Sequence, residues 1–335
     1  MAGLSFGSAR ATSYTCLHAQ RTYPAAVNAT ENLTALSPPA APLPLWMRLI
    51  ARLPFGVLYR LGALGSFLLR YVLRHRVAIA TSNLRQSFPA LSPPEILSIL
   101  NRYYRRLGEV AVECLKMPAL SASEMGRRVN LSNLAALRAE TDAGRSIILA
   151  AAHLGNWEWQ LQGLVTQLGV PVDAAYKPLH LASADRAVLL LRSHFGARMV
   201  AAKKLLRVVA RHRNQVHAIA LMADQIPMSS GSGRHWLTFL GQPTAFYPGP
   251  AQIAHATGYA TFFPHMRRRS RGHYELYFEA ITAAGERLEP EAFTARYARM
   301  LEASIRSDPA NWMWSHRRWK LTAPAPVIET QAAAR

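Results

Sequence analysis

His153 and Glu158 bracket the hexapeptide His-Leu-Gly-Asn-Trp-Glu, which sets an imidazole and a carboxylate one tight turn apart. Such a pair can take a proton from a hydroxyl: a carboxylate bonded to one ring nitrogen leaves the other free to act as a base. Gly155 and Asn156, lying between them, tolerate unusual backbone angles and let a substrate come close to the main chain. The spacing recurs in His180 and Asp185, and with 12 His and 19 acids a chance repeat is expected. Context separates the two pairs. His180 follows Lys177-Pro178-Leu179 in a polar stretch that opens a helix, where Asp185 reads as a first-turn acid.

Residues 146–152 (SIILAAA) form a short apolar run that reads as a buried strand, and the helical pattern from Trp157 stops at Gly169. His153 therefore falls in a strand-to-helix loop. Further strands are expected at 172–176, 216–223, 260–266 and 273–280, with helices at 185–195, 203–213, 248–257 and 289–307. Alternation of this kind predicts an α/β fold, a mostly parallel central sheet flanked by helices. Upstream, residues 77–117 are helical, and Pro93-Pro94 opens a second helix in which Ile96, Ile99, Leu100, Tyr103, Tyr104, Leu107, Val110 and Ala111 form a core stripe. Ligands in open sheets sit outside the carboxyl ends of the strands. His153, Lys177 and Asp224-Gln225 each follow a strand and so converge there.

Half of the 335 residues are apolar, enough for a full core, and the net charge of +20 with a pI near 10.8 calls for a polyanionic partner or surface. No zinc-finger spacing, RNP-like strand or helix-turn-helix supports nucleic acid, which is not expected as a partner. Two cysteines without metal-ligand spacing, and no His-Glu-x-x-His helix, leave no metal site to expect. Gly-x-Ser-x-Gly, Walker A and Gly-x-Gly-x-x-Gly are also missing, so serine-hydrolase, P-loop and dinucleotide chemistry are set aside. The Arg267-Arg268-Arg269-Ser270-Arg271 run reads as a solvated hairpin tip. The segment 311–320 mixes indoles and cations, which suits a membrane interface or a cap on the core.

An anionic membrane is the better-supported partner. Residues 53–73 are mostly apolar, about the 20 residues that cross a bilayer, but Arg60 and Arg70 interrupt them. A tilted span with snorkelling arginines and a helix lying in the interface both fit. The expected organisation is a disordered or non-native extension at 1–43, a membrane-anchoring helix at 44–76, a catalytic domain at 77–322 and a flexible tail at 323–335.

Taken in order, several segments resemble the lipid A biosynthesis acyltransferases, the late lauroyl and myristoyl transferases of Gram-negative bacteria. They are the N-terminal apolar helix, Asn83-Leu84-Arg85-Gln86-Ser87-Phe88-Pro89, the loop at His153, Tyr176-Lys177-Pro178, Arg192-Ser193-His194-Phe195-Gly196, Ala223-Asp224-Gln225, Phe239-Leu240-Gly241-Gln242-Pro243-Thr244-Ala245 and Trp314-Ser315-His316-Arg317-Arg318-Trp319-Lys320. The resemblance implies a histidine–acid catalytic motif on His153 and Glu158, with Glu158 holding the ring. It also implies acyl transfer from a thioester, carried by acyl carrier protein, to a hydroxyl of a lipid A precursor, an aminolipid or another lysolipid. Gly155, Asn156, Lys177, Arg192, Asp224 and Gln225 would bind substrate, with Lys177 and Arg192 supporting the oxyanion and lipid phosphates. No cofactor beyond the thioester co-substrate is implied. The place of action would be the bacterial inner membrane, with the catalytic domain facing the cytoplasm. Lys177 stands where the family more often has arginine, and lysine lacks the bidentate fork for phosphate.

Overall fold

The run that lacks polar residues lies in the middle of the sheet, and each of its five residues Ile147–Ala151 is buried. The computed structural model describes residues 35–36, 43–227 and 233–323. The expected extension at 1–43 and tail at 323–335 fall almost wholly outside them. In chain order the elements are β1 (Ala35–Leu36), α1 (Leu45–Arg52), α2 (Phe55–Phe67), a π-helical turn (Leu68–Val72), α3 (Val77–Ser87) and α4 (Pro93–Lys116). There follow α5 (Ala122–Arg128), β2 (Val129–Leu131), α6 (Leu134–Asp142), β3 (Ile147–Ala151), α7 (Trp157–Gln167), β4 (Val172–Tyr176), α8 (Ala182–Arg192), β5 (Arg198–Ala201), α9 (Leu205–Arg211) and β6 (Ala218–Met222). The last part holds β7 (His235–Phe239), β8 (Gln242–Phe246), α10 (Gly249–Thr257), β9 (Ala260–Ser270), β10 (His273–Thr282) and α11 (Pro290–Ser307).

The eight-stranded sheet runs β1-β5-β4-β6-β3-β9-β10-β2. Its centre, β5-β4-β6-β3-β9, is parallel, while β1 on β5 and β10 on β9 are antiparallel. β7 and β8 form a separate antiparallel hairpin. The mostly parallel α/β expectation therefore holds. β6 pairs with β3 in register from Ile147 opposite Ala218 to Ala151 opposite Met222. The sheet grows from β3 through β6, β4 and β5 on one side and through β9 and β10 on the other, which opens a crevice at the carboxyl ends.

The N-terminal region departs from the expected single helix. Pro54 interrupts it after α1, and residues 73–76 break it again, with Arg74 (φ 48°) and Arg76 (φ 53°) in left-handed backbone. Among the described residues no single helix is long and apolar enough to cross a membrane. The stretch 55–72 and α3 meet that requirement only as a pair bent by 86°. α2 packs on α4 through small residues: a Cβ on Gly62 would stand 2.8 Å from the Gly108 carbonyl oxygen, and Ser66 Oγ donates to Tyr104 O. α4 begins where Ser92 N donates to Glu95 Oε2 at 2.7 Å, a helix-start signature visible in the sequence. Its core stripe is as expected through Val110, but Ala111 is exposed and Val112 and Glu113 are buried in its place.

The Trp-rich segment proves to cap the core. Trp312 and Trp314 are buried, and the Asn83 side chain donates to the carbonyls of Trp314 and His316, at 2.8 and 2.9 Å. The arginine run sits at the turn of the β9–β10 hairpin, but Arg268 and Arg271 are drawn back onto the buried Glu109, at 2.9 Å each.

Candidate active site

Ala223 N donates to Ala151 O at 2.8 Å, which extends the β3–β6 pairing one step past the strands and brings the residues after them together. His153 Nδ1 lies 2.8 Å from Asp224 Oδ1, and His153 N donates to Asp224 Oδ2 at 2.9 Å. Trp312 Nε1 donates to the same Oδ2 at 3.0 Å. Asp224 is buried, so this carboxylate is held by three protein donors and fixes the ring with its Nδ1–H inward. No described residue hydrogen-bonds His153 Nε2. The Trp157 ring packs edge-on against the imidazole, with centroids 5.3 Å apart.

Burial is the largest single influence on His153 and pushes its pKa down, but the charge and hydrogen bond of Asp224 outweigh it, so the net direction is up. Burial likewise pushes Asp224 up, and the imidazole charge with the converging donors overcomes it, leaving the carboxyl at about 2. Asp224 is therefore ionised, and the ring beside it stabilises positive charge.

This geometry corrects the sequence expectation for Glu158. Its carboxylate does not hold the ring. It accepts two bonds from Arg192, at 2.8 and 2.6 Å, and one from Trp157 Nε1 at 3.1 Å. α7 starts at Trp157, so Glu158 lies in the first helical turn, directed toward α8 rather than back to His153. Asp224, expected among the substrate contacts, takes the ring-holding position in its place.

The other expected residues divide in the same way. Gly155 has φ +55°, as its loop requires, and its N–H donates to Asn311 O at 2.8 Å. Asn156 is fully buried and does not face a substrate: its Oδ1 accepts from Trp159 N, capping α7, and its amide donates to Glu113 Oε2. Lys177 and Gln225 are exposed at the ends of β4 and β6, with no described partner. Arg192 is near the site but already committed to Glu158. Asp185 lies in the first turn of α8, as expected for the second pair, and accepts from Leu179 N and Tyr176 Oη.

Glu113 was missed. It is fully buried on α4, where burial pushes its pKa up while Tyr274 Oη, the Asn156 amide and Tyr59 Oη all donate to it. It ties α2, α4, the His153 loop and β10 together. An acid on the apolar stripe of a helix was the available signal. Trp312 gave none, because its contact with Asp224 spans 88 residues of sequence.

A second histidine–acid cluster, Asp173, His212 and His217, brings its ligand atoms within 4.8 Å of one another at the amino ends of β4 and β6. Arg198 grips both Asp173 oxygens, at 2.7 and 2.8 Å, which disfavours a cation there. It lies at the opposite end of the sheet from His153.

Residues 44–321 match the model of the bacterial lipid A biosynthesis acyltransferase family. The chain belongs to that family. The match to this acyltransferase family begins ahead of residue 77, where the sequence reading starts the catalytic domain, and takes in α1, α2 and α3. Among curated proteins, the chain is similar to a phosphatidylinositol mannoside acyltransferase of Mycolicibacterium smegmatis, 27% identical over 69% of this chain and 74% of the relative. A phosphatidylinositol mannoside acyltransferase of Mycobacterium tuberculosis is 25% identical over 69% of this chain and 72% of the relative. The acyltransferase family and these relatives agree with acyl-transfer chemistry at a histidine–aspartate site.

Proposed function

We propose that the protein is an O-acyltransferase that moves a fatty acyl group from a thioester to a hydroxyl of a bacterial lipid, with His153 as general base. The observation that carries this reading is the unengaged Nε2 opposite the 2.8 Å bond from Nδ1 to Asp224. Nε2 takes the acceptor's hydroxyl proton as its oxygen bonds to the thioester carbonyl carbon. Asp224 stabilises the imidazolium so formed. The tetrahedral intermediate collapses, the carbon–sulfur bond breaks, and the departing sulfur takes the proton from Nε2, leaving an ester and a free thiol. No acyl-enzyme is needed.

The loop amides of His153, Leu154 and Gly155 are spent on Asp224, Ala152 O and Asn311 O. Oxyanion support thus falls to side chains and to the N-terminus of α7. Lys177 is exposed beside the crevice, has no partner among the described residues, and offers a cation for this or for a lipid phosphate. Glu158 acts through Arg192, holding the guanidinium at the rim. The names of the curated relatives favour a phosphorylated glycolipid acceptor other than a lipid A precursor; the family description alone supports the lipid A precursor as the second reading. The strong positive charge fits an acidic carrier protein as donor and the cytoplasmic leaflet of the inner membrane as the place of action.

The test compares total lipids, by mass spectrometry, from cells expressing wild type or His153→Ala at equal levels. One lipid should lose a single acyl chain in the variant, and its mass identifies the acceptor. An unchanged lipid profile, with no acyl transfer by the purified protein, would remove this reading.

A further inference from the structure

A cavity of about 510 Å³ lies between the π-helical turn, α3 and α4, and none of His153, Asp224 and Lys177 lines it. Arg70, Arg74 and Arg85 line it together with apolar side chains that include Val77, Ile96 and Leu100, and no acid is among its lining residues. The sequence has no Asp or Glu from Leu45 to Pro94. Arg70 is 7% exposed, and its Nη1 is buried without a hydrogen-bond partner. Its guanidinium lies against two aromatic rings, 4.9 Å from the Tyr71 centroid and 5.9 Å from that of Tyr104. A buried cation with an empty donor is costly unless something anionic completes it. Arg74 is held at φ 48°, a backbone conformation that an arginine rarely adopts and that tends to persist at functional sites. The π-helical turn that carries Arg70 is likewise a feature found often at such sites.

We infer that this cavity binds the phosphate of an anionic lipid, whose acyl chains lie along the apolar surface around it. Tyr71 and Leu97 line the cavity and are half exposed, and the adjoining Phe67, Val72 and Leu73 are at least as open. A lipid supplies both halves of this environment, an anion for the guanidinium groups and a chain for the apolar rim. An acidic protein surface supplies only the first. Arginine rather than lysine at all three positions suits phosphate oxygens. The inference stands apart from the acyl-transfer reading, because it involves neither His153 nor the crevice above the sheet.

The test titrates the full chain with short-chain phosphatidylglycerol below its micelle concentration, by calorimetry, and in parallel with glycerol 3-phosphate and with acyl carrier protein. Expected is saturable binding of the lipid at a single site. Arg74→Gln/Arg85→Gln, two exposed positions, should weaken it by about thirtyfold, the effect of two basic side chains at an anionic headgroup. Arg70→Met, which keeps the packing volume, should weaken it further. Arg48→Gln/Arg60→Gln, the same change of charge outside the cavity, should leave binding within about twofold. Thermal melts of each variant establish folding, and the exposed pair keeps the test open if Arg70→Met does not fold. Non-saturable binding, equal losses in the two double variants, or glycerol 3-phosphate binding as tightly as the lipid would each overturn the assignment. So would cavity-dependent binding of the carrier protein in place of the lipid.

Discussion

His153 Nδ1 and Asp224 Oδ1 stand 2.8 Å apart although 71 positions separate them in the chain. β3 and β6 are neighbours in register, so the residue two past the end of each strand arrives at the same place. The pair is a product of sheet topology, not of the local spacing that draws the eye to His153 and Glu158.

Asp224→Asn should therefore cut kcat by about a hundredfold to ten-thousandfold, since the amide neither fixes the ring tautomer nor stabilises imidazolium. His153 would keep its burial and lose the charge and hydrogen bond of Asp224, the largest of the influences that raise its pKa, so the acid limb of the pH profile should move down. Steady-state kinetics with an acyl thioester across pH read both effects together.

In the wild type the sign runs the other way. The base must be neutral, and the ring's pKa lies above 6.5, so kcat/KM should rise with pH through a midpoint above that value. Stability has a matching pattern. The contribution of His153 is complete below its unfolded value and is lost as pH climbs through the raised folded one. That of Asp224 is present above 3.8 and is lost as pH falls toward about 2. Melting temperatures and an NMR titration of the imidazole check these limits.

Glu158→Gln and Arg192→Gln should resemble each other, because each breaks the same two-bond pair. A shift of the α7–α8 rim by part of an ångström should lower kcat/KM by about tenfold to a hundredfold. The acid limb should move less than in Asp224→Asn, down for Glu158→Gln and up for Arg192→Gln, because the carboxylate's charge raises the imidazole and the guanidinium's lowers it, which distinguishes this pair from Asp224. A profile displaced as far as that of Asp224→Asn would show Glu158 holding the ring in place of Asp224.

Glu113→Gln tests the buried junction under the loop. Tyr59, Asn156 and Tyr274 all donate to this carboxylate, and an amide has one accepting oxygen in place of two, so at least one of the three must reverse or give up its bond. The expected loss is about 1–3 kcal/mol in denaturant unfolding. Gly108→Leu should cost a similar amount or more by pushing α2 off α4.

Much of the frame was legible because it rests on periodicity. β4 was read residue for residue, and α7, α10 and α11 began within one residue of their observed starts. β5, β2 and the β7–β8 hairpin were missed, since strands of three to five residues that mix polar and apolar positions carry little pattern. The site was half legible. His153 stands out by its place after a buried strand, and Asp224 by its place after another. Their partnership depends on which strands are neighbours, and Glu158 was credited with the ring because it was the nearest acid in sequence.

Trp312 holds the carboxylate that holds His153, and the Asn83 side chain grips the carbonyls of Trp314 and His316 just beyond it. On the ribosome, then, a chain that has made both strands and their loops still lacks the indole that completes Asp224's surroundings. The base comes into its final setting only after residue 312 has left the exit tunnel. By then the helices of residues 45–87 have long been outside the exit tunnel, free to meet a membrane first.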